Sequence, residues 1–137
     1  MPQQAFKTLY HYTYSLQYHL VVVTKYRKKC LTGAMLAELR EICERHLQLK
    51  EGPLLEFNGE ADHLHLLLEL PPKVALSMAV NSLKTVTARL MRRDHAAYLK
   101  KFYWKPALWS RSYFVASCGG APLAVIKQYV QQQSAPH

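Results

Sequence analysis

The stretch LLEFNGEADHLHLLLEL, residues 54–70, decides how this chain is read. From position 63 onward its side chains alternate. His63 and His65 stand on one side and Leu64, Leu66, Leu68 and Leu70 on the other, because successive residues of a strand point to opposite faces of a sheet. The leucine row is the side that a sheet turns toward a layer of helices. Residues 54–58 form a second β-rich run. The intervening Asn58, Gly59, Glu60, Ala61 and Asp62 contain Asn-Gly, a strong reversal signal, so the spacing predicts a hairpin of strands 54–58 and 63–70. Pro71 and Pro72 end the second strand.

Upstream, residues 14–24 (YSLQYHLVVVT) are aromatic and β-branched, which predicts a strand buried on both faces toward its end. Leu36, Leu39, Ile42, Cys43 and Leu47 recur at helical spacing within residues 34–49, with Glu41 and Arg45 outside as an i, i+4 pair. Downstream, Leu76, Val80, Leu83, Val86, Leu90 and Met91 predict a second helix over 75–93. Residues 108–117 (LWSRSYFVAS) predict a fourth strand. Gly119 and Gly120 break the chain, and Pro122 opens a last helix through 133 with Leu123, Ile126 and Val130 on its apolar side. The order β-α-β-β-α-β is the split β-α-β pattern of ferredoxin-like (RRM-like) domains: an α+β fold, an antiparallel sheet with helices on one face, here followed by a C-terminal helix. The other sheet face is expected to stay available.

At 137 residues the chain fits one domain, 1–137, large enough to bury a core without staples. No apolar run reaches the length of a membrane span, and MPQQAFK lacks the apolar core of a signal peptide, so a cytoplasmic location and no membrane partner are expected. Cys30, Cys43 and Cys118 lack CxxC spacing and read as reduced structural thiols. Eighteen Lys and Arg against nine Asp and Glu give a net charge of +9, which points to a polyanionic partner, nucleic acid first. One basic cluster holds Lys25, Arg27, Lys28 and Lys29 around Tyr26. A second holds Arg89, Arg92, Arg93, Lys100, Lys101 and Lys105, interleaved with Tyr98, Phe102, Tyr103 and Trp104. Cations that follow phosphates beside aromatic faces that stack on unpaired bases are the pattern of single-strand binding.

His63 and His65 share a strand face, so their imidazoles can converge on a metal ion, although a pair of solvated histidines has the same pattern. Asp62 and Glu60 are nearby oxygen donors, while His19 reads as a structural histidine. On the last helix Tyr129 and Gln133 lie at i and i+4 on one face, apart from Ile126 and Val130. Such a tyrosine ordinarily packs. Beside a cation-bound phosphodiester its phenol can instead act as a nucleophile, and a phosphotyrosine link conserves the energy of the broken bond.

These residues resemble the small single-tyrosine HUH transposases of bacterial insertion sequences, which include the REP-associated tyrosine transposases. HUH denotes His-hydrophobic-His, here His63-Leu64-His65. The resemblance runs from about residue 14 to 133 through YHLVVVTKYRKK (18–29), ADHLHLLLELPP (61–72), SLKTVTARL (82–90), LWSRSYFVAS (108–117) and IKQYVQQQ (126–133). It implies that His63, His65 and Gln133 hold a divalent cation, Mg²⁺ or Mn²⁺, and that Tyr129 is the nucleophile. It further implies a homodimer that binds DNA hairpins at element ends, cuts single-stranded DNA through a 5′-phosphotyrosine and rejoins the strands, with the tyrosine helix acting in trans. Ala61 stands where relatives often have Pro, and in the QQQ run Gln132 competes with Gln133 as the ligand. Lys25, Arg27, Lys28, Lys84, Arg89 and Arg92 are the expected DNA contacts. Asn81, Lys84, Thr85, Ala88 and Arg92 are expected on the helix face opposite the apolar stripe. The alternatives are a non-catalytic single-strand binder, which needs neither Tyr129 nor a metal, a metallohydrolase without a covalent step, and a domesticated transposase with all the same residues.

Overall fold

The computed structural model describes residues 7–9, 12–14, 16–117 and 131. Two short strands, β1 (Lys7–Leu9) and β2 (Tyr12–Tyr14), pair with each other ahead of the main sheet. They lie ahead of the strand that the sequence predicts over 14–24 and meet it at Tyr14. The main sheet holds β3 (Gln17–Val23), β4 (Leu54–Glu60), β5 (His63–Glu69) and β6 (Phe114–Ser117) in the order β4-β5-β3-β6, with every pair antiparallel. This is the ferredoxin-like order that the β-α-β-β-α-β pattern predicts. The helices are α1 (Gly33–Leu49), α2 (Leu76–Asp94) and the short α3 (Ala96–Leu99).

The core lies between the helices and one sheet face. Leu20, Val22, Leu64, Leu66 and Leu68 meet Met35, Leu39, Cys43 and Leu47 of α1 and Val80, Leu83 and Met91 of α2. Thr32 caps α1 by accepting the Met35 amide at 3.1 Å. Burial pushes the Cys43 thiol up to about 12, as expected of an inert packing residue.

Three local expectations are corrected. Asn58 and Gly59 do not form the turn; both lie inside β4, and the reversal is made by Ala61 and Asp62. Gly59 answers to packing instead, since a Cβ there would sit 2.5 Å from Leu36 Cδ2, so glycine lets α1 approach the sheet. The fourth strand is shorter than 108–117. Leu108 and Trp109 are buried beside α2, with Trp109 Nε1 donating to Thr87 Oγ1 at 2.9 Å, and regular pairing starts only at Phe114. Finally, the face opposite the helices is not bare. Val21 and Val23 on it are fully buried, with Phe114 packed against them.

Candidate active site and nucleic-acid interface

β5 presents His63 and His65 on the face away from its leucines. His65 stands opposite Val21 on one neighbour and Asn58 on the other, and His63 stands opposite Val23 and Glu60. The turn before His63 is locked to the basic loop after β3. Thr24 N donates to the Asp62 carbonyl at 3.0 Å and Leu31 N to the Ala61 carbonyl at 2.9 Å. Within that loop Tyr26 and Arg27 take left-handed backbone angles, φ 58° and 52°, a conformation that is costly for non-glycine residues and is kept where surrounding contacts enforce it. The turn brings Arg27 Nε to 2.6 Å from Asp62 Oδ2, while His63 Nδ1 lies 2.9 Å from Asp62 Oδ1.

Asp62 was legible only as a spare oxygen donor. In the structure it is a buried bridge between a guanidinium and an imidazole. Burial alone would raise its carboxyl, but the hydrogen bonds from His63 and Arg27, and their charges, outweigh it and hold the group below the usual carboxylate range. With Nδ1–H donated to the Asp62 carboxylate, Nε2 is the His63 nitrogen left to meet a metal ion. That carboxylate–histidine pairing is how metal-ligating imidazoles are oriented. The missed signal was the aspartate immediately before His-x-His.

His65 has a partner of its own. His19 Nδ1 is 3.0 Å from His65 Nε2 across the β3–β5 pair, so His19 belongs to this face rather than to structure elsewhere. Burial, and next the neighbouring His19, push the His65 imidazole below its ordinary value and favour the neutral, ligating form. Two imidazoles backed by a carboxylate suit a divalent cation. No cluster of three or more His, Cys, Asp or Glu placed to hold a metal occurs among the described residues, so further ligands would come from elsewhere in the chain, water or phosphate. Tyr129, Gln132, Gln133, Gly119, Gly120 and Cys118 lie outside the described residues.

The expected DNA contacts separate into two kinds. Lys28 and Arg89 are exposed. Lys25 and Arg92, with Arg111, line a hollow of about 360 Å³ between α2 and residues 106–111. Two other cations are already engaged. Arg27 holds Asp62, and Lys84 Nζ donates to the carbonyls of Ser110 and Arg111 at 2.8 and 3.0 Å. The expectation of an open helix face is corrected at Ala88, which is buried because residues 106–111 fold back over this side of α2.

The profile of the family described as "Transposase IS200 like" matches residues 12–133. The chain belongs to the IS200-like transposase family. The transposase for insertion sequence element IS200 of Salmonella typhimurium is 32% identical over 127 residues, covering 93% of this chain and 82% of that protein. The ISDra2 transposase TnpA of Deinococcus radiodurans is 34% identical over 125 residues, covering 89% and 86%. A crystal structure from Deinococcus radiodurans R1, assigned as a transposase, matches this IS200-like transposase with a TM-score of 0.83 at 31% identity, over 94% of this chain and 98% of the other. A REP-associated tyrosine transposase bound to a REP hairpin matches with a TM-score of 0.55 at 13% identity, over 90% and 68%, a likeness of fold. Among the described residues no helix is long and apolar enough to cross a membrane.

Proposed function

We propose that this IS200-like transposase cuts and rejoins single-stranded DNA at hairpin-bearing element ends, with Tyr129 as nucleophile and His63, His65 and Gln133 holding Mg²⁺ or Mn²⁺. The observation that carries the reading is the His63–His65 pair on one strand face with the Asp62 carboxylate bonded behind it. When bound, the cation polarises the scissile phosphodiester and stabilises developing charge. Asp62 fixes the His63 ring, Arg27 fixes Asp62, and His19 holds the His65 ring through the hydrogen bond between His19 Nδ1 and His65 Nε2.

The Tyr129 phenol attacks phosphorus. A tyrosyl O–P bond forms as the P–O3′ bond breaks, the phenol proton leaves to solvent, and the departing 3′ oxygen takes up a proton. The product is a 5′-phosphotyrosine with a free 3′-hydroxyl. Attack by a 3′-hydroxyl on that link reverses the bond changes, so rejoining needs no ATP. Two ends must be exchanged and each chain carries one His-x-His strand and one such tyrosine, which favours a homodimer, and the DNA on which it acts puts its work in the cytoplasm. The hairpin bound by the REP-associated fold relative supports hairpins as the recognised DNA.

The test uses single-stranded DNA carrying the element ends, labelled at either end and resolved on a denaturing gel. A protein-linked 5′-phosphate product is expected, absent in Tyr129→Phe and absent in excess EDTA. DNA binding without any adduct would leave a binding module. An adduct that persists in Tyr129→Phe would reject the nucleophile, and cleavage that persists in EDTA would reject the metal.

A further inference from the structure

Away from the histidine face, a cavity of about 210 Å³ opens among the end of α2, α3 and the segment that follows. Leu99 and Tyr103 are buried in its wall, and the Tyr103 hydroxyl is anchored by donating to the Lys25 carbonyl at 2.7 Å. Arg92, Lys100 and Lys105 line it as well, and so does Trp104, which is 94% exposed. From sequence, four aromatics in this stretch were equal candidates for stacking on bases. The structure separates them. Tyr103 is buried, while Tyr98 and Phe102 are half-buried with ring centroids 5.3 Å apart. Trp104 stands out from the chain, its large apolar face gaining nothing from the fold.

The cavity adjoins the basic hollow beside α2, and Arg92, Pro106 and Ala107 line both. No acidic side chain lines either hollow among the described residues. An aromatic face at the mouth of a cavity ringed by cations, continuous with a cationic track, is complementary to a flexible polyanion whose bases are free to stack. We propose that this cavity takes an unpaired base of single-stranded DNA. The base stacks on Trp104, the flanking phosphates meet Arg92, Lys100 and Lys105, and the strand runs on past Lys25 and Arg111. The inference rests on the reading of single-stranded DNA as substrate and adds a site for it apart from the histidines.

The two tryptophans of the chain make the test direct, because Trp109 is buried and bonded to Thr87 while Trp104 is exposed. Oligothymidylate is titrated into the full chain and tryptophan emission followed, with affinity measured separately by labelled probe. Stacking predicts quenching that disappears in Trp104→Ala, and an affinity loss of about 5- to 150-fold, the range for losing one base–aromatic stack. Trp104→Tyr should recover most of the affinity, and a blunt duplex should bind wild type and Trp104→Ala alike. Because the side chain is exposed, the denaturant midpoint should not move. Unchanged oligothymidylate affinity in Trp104→Ala would overturn the inference, as would an equal loss on duplex. Loss of self-association without loss of DNA affinity would do so too, making Trp104 a contact between copies. Binding through Trp104 without any adduct would sink the nuclease reading alone. Adduct formation with binding indifferent to Trp104→Ala would sink this inference alone.

Discussion

His63 Nδ1 donates to Asp62 Oδ1 across 2.9 Å, and the other oxygen of the same carboxylate is held by Arg27. The chain therefore orients a strand imidazole through a buried carboxylate that is itself pinned from the basic loop. Asp62→Asn keeps the shape but weakens both charge-assisted bonds. Metal affinity and cleavage should each fall roughly 10- to 100-fold, the usual cost of losing such an outer partner. His63→Ala should cost more, since it removes the ligand itself. Calorimetric metal binding of the two variants gives the comparison, and wild-type affinity in Asp62→Asn would show that the pair is merely structural.

The same carboxylate gives the fold an acid limit. In the folded chain burial raises Asp62, but the His63 and Arg27 hydrogen bonds overcome this and leave it depressed. The unfolded value is about 3.9, so between the folded and unfolded values the unfolded chain binds more protons and stability rises with pH. The Asp62 contribution is complete above the unfolded value and drains away as pH falls through the folded one. Urea midpoints of wild type and Asp62→Asn should differ at neutral pH and converge below about pH 4. A gap that stays constant with pH would mean that the ionised carboxylate is not what stabilises.

Gly52 closes α1 onto β5. Glu51 ahead of it is left-handed with φ 60°, Gly52 N donates to the Leu47 carbonyl at 2.9 Å, and a Cβ on Gly52 would lie 2.2 Å from the Glu69 carbonyl oxygen. Backbone cannot yield as a side-chain tip does, so Gly52→Ala should destabilise by about 1–3 kcal/mol or more. The readout is a lower denaturant midpoint at unchanged slope.

Period-two leucines and period-3.6 helices made the sheet, its order and the shared face of His63 and His65 legible, because burial imposes those periods on sequence. Asn58-Gly59 misled because glycine serves close approach as well as turns, and only the position of Leu36 in space separates the two uses. The roles of Asp62, Arg27 and His19 depend on which loops and strands meet. Arg27 lies 35 residues from Asp62 and His19 lies 46 from His65, and strand pairing rather than local pattern joins each pair. Lys84 read as a DNA contact for the same reason: on a helix wheel it faces outward, and the segment that covers it comes from residues 106–111.

Complementation separates composite sites from self-contained ones. Tyr129→Phe and the double variant His63→Ala, His65→Ala should each be inactive alone. If the tyrosine helix works in trans within a homodimer, mixed dimers hold one site with intact histidines and intact tyrosine. Cleavage then returns, with DNA linked only to the histidine-variant chain. Verified heterodimers that stay inactive would place each site within a single chain.

Lys84 and Arg92 sit two turns apart on α2, yet the structure assigns them opposite jobs. The Lys84 ammonium is spent on the Ser110 and Arg111 carbonyls, and its burial pulls its pKa below the ordinary lysine value. Arg92 lines both hollows, with no ion pair or hydrogen bond of its side chain found among the described residues. Lys84→Gln should therefore lower the denaturant midpoint by freeing residues 110–111, and leave the salt dependence of single-strand binding nearly unchanged. Arg92→Gln should leave the midpoint alone and reduce the magnitude of the slope of log affinity against log salt by about 0.7, one phosphate contact on a single strand. If both variants reduced the slope equally, Lys84 would have to release its carbonyls on binding. If neither did, the strand would run over a different surface, with the exposed Lys28 and Arg89 the next cations to neutralise.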